Sequence, residues 1–182
     1  MGVNTICTHI GEVKDEQYKG AISPLFMSNS YAYENVEVSR YPRYFNTPNQ
    51  EALCKKIAAL EKTEAGLILS SGMAAVSTAL LAYLKKGDHV VVQQTIYGGT
   101  YNFMVEEFPK YGIEYDFTDG FLEEDFKSKI KKNTRVIYVE TPSNPLMKIT
   151  DLTMISRLAK DNGLISLIDN TFASPINQTP ID

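Results

Sequence analysis

Leu67-Ile68-Leu69-Ser70-Ser71-Gly72-Met73 leads from a short apolar run, through two serines and a glycine, into a helical segment over Met73 to Leu84, and Val90-Val91-Val92 follows. A β-rich run, a helix and a second β-rich run in that order form the unit that builds a parallel sheet covered by helices. The alternation continues C-terminally with a helical segment around Tyr101 to Lys110, a strand over Ile113 to Phe117, a helix near Leu122 to Lys131 and a strand over Val136 to Val139. Asp151 can cap a further helix, which stops at Asn162-Gly163 before a strand over Leu164 to Ile168. On the N-terminal side, Thr47 can cap a helix with Pro48 at its first position, and Leu53, Ile57 and Leu60 share one face up to about Lys62. The sequence predicts an α/β fold with a mostly parallel sheet flanked by helices. No internal repeat or low-complexity linker divides it.

Residues 1–46 read differently. Turn-forming Pro, Gly, Asn and Ser separate isolated aromatics, and neither period is sustained. This segment reads as an extended arm that has no core of its own and docks through its Tyr and Phe side chains, while 47–182 reads as the first part of the α/β body.

Composition narrows the function classes. The 182 residues carry 18 basic and 22 acidic side chains, 43% are hydrophobic and 22% charged, and the formal net charge is −4. That is a globular composition without the clustered cations that hold a nucleic-acid backbone, so no nucleic-acid partner is expected. Ala74 to Leu84 is interrupted by Ser77 and Thr78 and falls short of the roughly 20 residues that span a bilayer. No signal-peptide pattern opens the chain, and Ile6 stands where a myristoylation signal needs Ser or Thr, so a cytoplasmic protein without a membrane partner is expected. Cys7 and Cys54 are too few for a disulfide framework and have no metal-ligand spacing with His9 or His89, so no metal site is predicted.

Several strand ends carry candidate chemistry. Ser71-Gly72-Met73 lies where a strand turns into a helix, so the Gly72 and Met73 N–H groups would face outward at the positive end of the helix dipole and could seat an anion. Tyr97-Gly98-Gly99-Thr100 follows Val90 to Val92, where Tyr97 could cover a flat ring or simply pack beside a turn. Glu140-Thr141-Pro142-Ser143-Asn144-Pro145 follows Val136 to Val139, with two prolines shaping the loop and Asn144 offering both donor and acceptor. Asp169 ends an apolar strand and needs a partner, either a cationic ring nitrogen or a neighbouring helix start. Arg40-Tyr41-Pro42-Arg43-Tyr44 supplies two guanidinium groups that could grip a phosphate, whereas Lys127 to Lys132 reads as a solvated helix face.

A phosphate seat, a flat aromatic, an amide and a carboxylate, in that order, are the fittings of pyridoxal 5′-phosphate. Over nearly its whole length the chain resembles the Cys/Met-metabolism enzymes of the fold-type I pyridoxal-phosphate class, which include cystathionine γ-synthase, cystathionine lyases, methionine γ-lyase and O-acetylhomoserine sulfhydrylase. The resemblance implies a homo-oligomer, a tetramer built from dimers that share active sites, acting on a small amino-acid substrate by elimination or replacement at its β or γ carbon. It implies that Tyr41 and Arg43 reach a neighbouring subunit's cofactor phosphate and that Ser71, Gly72 and Met73 form the phosphate loop. Tyr97 would stack on the ring and act in proton transfer, Asn144 would lie near the ring hydroxyl, and Asp169 would pair with the ring nitrogen.

There are departures. Asn46-Thr47-Pro48 transposes the family's usual Asn-Pro-Thr, and Gly99 stands where methionine γ-lyases commonly have cysteine. The family's cofactor lysine lies in a Ser-x-Thr-Lys segment beyond Asp169, so the protein is expected to continue past Asp182. An aminotransferase of the same fold type and a non-catalytic scaffold are the alternative readings.

Overall fold

The computed structural model describes residues 1–182, which divide into two compact units: Met1–Ile68 with Ile181–Asp182, and Leu69–Pro180. The first unit contains α1 (Val3–His9), a single 3₁₀ turn (Pro42–Tyr44) and α2 (Pro48–Leu60). Thr47 starts α2 as predicted: the Gln50 side-chain oxygen accepts from the Thr47 N–H at 3.1 Å and from its hydroxyl at 2.9 Å, and Pro48 occupies the first turn.

The second unit contains α3 (Gly72–Tyr83), β1 (His89–Val92), α4 (Gly98–Tyr111), β2 (Glu114–Phe117), α5 (Glu123–Lys127), β3 (Thr134–Glu140), α6 (Leu152–Asp161), β4 (Ile165–Asp169) and α7 (Ser174–Asn177). The four strands run parallel in the order β2-β1-β3-β4. Residues 90–92 of β1 and 136–139 of β3 are buried runs because both faces of the sheet are covered there. Val90, Val92, Val136 and Tyr138 pack with Leu80 of α3 and Met104 and Phe108 of α4. Val91, Ile137 and Val139 point the other way, onto Phe126 of α5 and Ile155 and Leu158 of α6. This is the predicted helix–sheet–helix sandwich. No helix is long and apolar enough to cross a membrane.

Three expectations need correction. Leu67-Ile68-Leu69 is not a strand: neither edge of the sheet pairs with it, and Leu67 is 55% exposed. A run of β-formers becomes a strand only where a neighbour takes up its backbone groups. The first 46 residues are not extended throughout, because Val3–His9 is helical, opened by Thr5 and Ile6 N–H groups donating to the Gly2 carbonyl. The helix lies against α2. Lys56 Nζ donates to the Cys7 carbonyl at 2.9 Å, and Gly11, at φ +81°, passes so near the Ala52 carbonyl that a Cβ would stand 2.1 Å from its oxygen. Finally, α5 stops at Lys127; Lys129 and Lys131 follow it and pair with Asp119 and Asp116, at 2.8 and 2.6 Å.

Asp116 also meets a buried histidine. His89 opens β1 with no exposed surface, its Nδ1 2.8 Å from Thr134 Oγ1 and its Nε2 3.2 Å from Asp116 Oδ2. Burial and the nearby Lys131 ammonium push its pKa below the ordinary 6.5, against the partial opposition of Asp116. A depressed folded value means that the unfolded chain binds the proton more tightly. The stability from neutral His89 is therefore present above about pH 6.5 and is lost as pH falls through the folded value.

Two measurements follow from this packing. Denaturant midpoints recorded downward from pH 7.5 should fall below pH 6.5, and His89→Asn should flatten that slope while lowering the neutral-pH midpoint. Phe126→Ala should cost about 3–5 kcal/mol in urea unfolding, because it empties a fully buried site, whereas Leu122→Ala on the exposed neighbouring turn should stay within about 0.5 kcal/mol.

Candidate active site

A cavity of about 720 Å³ opens at the carboxyl end of the sheet, where open α/β sheets place ligands. It is lined by the start of α3, the turn into α4 and the loops after β3 and β4. Ser71, Gly72, Met73, Tyr97, Asn144 and Asp169 all line it. Tyr41 and Arg43 belong to the first unit and are not part of the lining.

The start of α3 leaves two donors free. Ser71 Oγ accepts from the Ala74 N–H at 3.0 Å, and the Ala75 N–H donates to the Ser71 carbonyl. Of the first-turn amides, those of Gly72 and Met73 therefore remain without a partner in the chain, and the Ser71 hydroxyl hydrogen is still available to donate. A Cβ on Gly72 would meet no atom within 4 Å, so the backbone there is open to an approaching group.

Tyr97 immediately precedes α4 and is 47% exposed. Its ring crosses the backbone of Gly99: a Cβ at position 99 would stand 2.5 Å from Tyr97 Cε1 and 3.1 Å from Met73 Sδ. With Tyr97 in this position, a side chain at residue 99 would require the tyrosine ring to shift.

Glu140 and Asp169 face each other as register partners at the ends of β3 and β4. Glu140 is 4% exposed, and its two oxygens accept from two loops, Oε2 from the Tyr97 N–H at 2.7 Å and Oε1 from the Asn144 N–H at 2.6 Å. Burial pushes its carboxyl above the ordinary 4.5; the two amides oppose that shift and the charge of Asp169 adds to it. The peptides preceding Pro142 and Pro145 are both cis. Beneath the loop, buried Gln93 donates to the Glu140 carbonyl at 2.8 Å and accepts from the Thr150 hydroxyl at 2.6 Å.

Asp169 is oriented by its neighbours. Oδ2 accepts from the Tyr138 hydroxyl at 3.1 Å, and Oδ1 accepts from the N–H and the hydroxyl of Thr171. Burial, reinforced by Asp169, holds the Tyr138 phenol protonated well above its ordinary value, so it remains a donor. Neither Tyr138 nor the supporting contacts of Glu140 was read from the sequence. The available signal was their spacing, since residues 138 and 140 share one face of a strand and one of them is an acid at its buried end.

In the first unit, Arg40 and Arg43 are not equivalent. Arg40 pairs with Glu51 at 2.9 Å and donates to the Asn46 carbonyl, while Arg43 is exposed on the 3₁₀ turn and makes no ion pair.

Known proteins share this architecture. The model of the Cys/Met metabolism PLP-dependent enzyme family matches residues 4–182. Cystathionine beta-lyase MetC of Bacillus subtilis (strain 168) is 48% identical over 167 residues, covering 90% of this chain and 42% of that protein. The cystathionine gamma-synthase/O-acetylhomoserine (thiol)-lyase of the same strain is 37% identical over 182 residues, covering 99% of this chain and 48% of that protein. The structure of cystathionine gamma-lyase from Lactobacillus plantarum complexed with L-serine superposes with a TM-score of 0.93 at 33% identity, over 100% of this chain and 48% of that one. The chain thus spans about half the length of the curated relatives it matches. Sequence and fold agree, and the chain belongs to the Cys/Met metabolism PLP-dependent enzyme family.

Proposed function

We propose that the protein to which this chain belongs carries out elimination or replacement at the β or γ carbon of a sulfur amino acid or an O-acylhomoserine. The family's cofactor is pyridoxal 5′-phosphate. The cavity fits its chemistry: the unpartnered Gly72 and Met73 amides and the Ser71 hydroxyl are donors for a phosphate, and Gly72 lacks a side chain where that phosphate would approach. Asp169 is a held acceptor for a protonated ring nitrogen. When bound, the cofactor acidifies the α carbon of an attached amino acid and takes up its electrons.

The residues then have distinct tasks. Gly72, Met73 and Ser71 anchor the phosphate, Asp169 keeps a proton on the ring nitrogen, Tyr97 covers one ring face and relays a proton through its hydroxyl, and Asn144 orients the ring hydroxyl. Tyr41 and Arg43 complete the phosphate site of a neighbouring subunit, which makes a homo-oligomer, a tetramer built from site-sharing dimers, part of the proposal. Arg43 supports this reading because its guanidinium is exposed and unpaired. A cytoplasmic setting belongs to the same proposal. The observation that carries the whole reading is the placement of two unpartnered helix-start amides and an oriented carboxylate on one cavity, in a chain of this family.

Product analysis of the full-length protein with cystathionine, methionine and O-acylhomoserines tests the reaction. Release of a thiol or formation of a thioether supports it; amino-group transfer to a keto acid, or no cofactor absorption at all, overturns it in favour of an aminotransferase or a scaffold. Tyr97→Phe should keep the cofactor and slow turnover, and Asp169→Ala should impair turnover far more than folding. Arg43→Ala should weaken cofactor retention by roughly 1.5–3 kcal/mol. Hybrids of Arg43→Ala and Asp169→Ala subunits should regain activity, because each mixed pair then holds one complete site; no recovery on mixing would show that Arg43 does not act across the interface.

A further inference from the structure

The best-buried carboxylate beside the cavity has no task in the scheme above. Glu140 has no lysine, arginine or histidine partner, and its hydrogen bonds go to two backbone amides from different loops. The Tyr97 N–H at 2.7 Å belongs to the turn before α4, and the Asn144 N–H at 2.6 Å belongs to the loop after β3. The side chains of both residues line the cavity. The clip is itself anchored, because Glu140 ends β3 opposite Asp169 and Gln93 holds its carbonyl from below.

We infer that Glu140 is a positioning residue that clips the Tyr97 turn to the Asn144 loop and so sets the ring-covering phenol and the ring-facing amide relative to each other. Both carboxylate oxygens are acceptors, and the clip needs both. Glutamine has the same shape but offers one acceptor and one NH₂ group, which faces an N–H donor to donor. Glu140→Gln therefore keeps one loop and releases the other. Aspartate carries the same pair of oxygens but, one methylene shorter, holds them back from the two amides.

The inference rests on the cofactor-enzyme reading, and its test separates the two. In the unaltered full-length holoenzyme, hydrogen exchange at the Tyr97 and Asn144 amides should be slow compared with exposed loop amides. In Glu140→Gln at least one of the two should lose protection while the Val139 amide keeps its own. If both amides exchange freely in the unaltered protein, or both stay protected in the variant, the clip is wrong whatever the reaction is. Turnover should fall about tenfold to a hundredfold in Glu140→Gln, with the visible circular-dichroism band of the bound cofactor altered, since small displacements of positioned groups cost rates of that order. In a protein already carrying Tyr97→Ala and Asn144→Ala, adding Glu140→Gln should change turnover less than threefold. A full loss in that background would mean that Glu140 acts directly and not through the two loops. Slow exchange in a protein without activity towards any sulfur amino acid would retain the clip and overturn the enzyme reading alone.

Discussion

The parallel pairing of β3 with β4, in the register that sets Glu140 opposite Asp169, is the constraint on which the site depends. From Val136 onward β3 is buried between helices, with Val136 and Tyr138 in one core and Ile137 and Val139 in the other, and on the half-buried β4 Leu167 packs against the first and Ile168 against the second. A slip of one residue would exchange the two sets and move every side chain to the wrong face, so the packing holds the register. From that register the polar geometry follows. Asp169 ends its strand within reach of the Tyr138 hydroxyl, and Glu140 ends its own strand where the Tyr97 turn and the Asn144 loop converge.

Much of this was legible in the sequence because it is governed by local chemistry. A glycine after two serines, between an apolar run and a helical period, places amides at a helix start whatever the rest of the fold does; Ser71 and Asp151 both cap as their types and positions foretell. The carboxyl ends of the predicted strands are also where the cavity lies, so Tyr97, Asn144 and Asp169 came together as ordered signals. What escaped was set by partners distant in sequence. Tyr138 reads as a core residue until β4 brings Asp169 beside it, and Glu140 reads as part of a loop until two amides meet its carboxylate. Leu67-Ile68-Leu69 misleads in the opposite sense, with the composition of a strand and no ladder to join.

The first unit follows the same division. Thr47 and Pro48 announce α2 from their own chemistry, despite the altered order of the local motif. Helix α1 does not announce itself, because seven residues with little periodicity form a helix mainly through what they lie against, and α2 supplies that surface. The pair of arginines shows how much placement decides: Arg40 is tied to Glu51 and the Asn46 carbonyl, while Arg43, three residues on, stays unpaired.

The cavity lining includes two carboxylates, Glu140 and Asp169, and no lysine or arginine. A doubly charged anion entering it gains helix-start amides and the Ser71 hydroxyl but no full positive charge from these walls. If Arg43 of a neighbouring subunit supplies that charge, as proposed, capture of the anion and subunit association are reciprocally coupled equilibria, each tightening the other by the same factor. On that proposal, mass action makes occupancy of the site rise with the concentration of the protein as well as with that of the ligand, and dilution loosens both together.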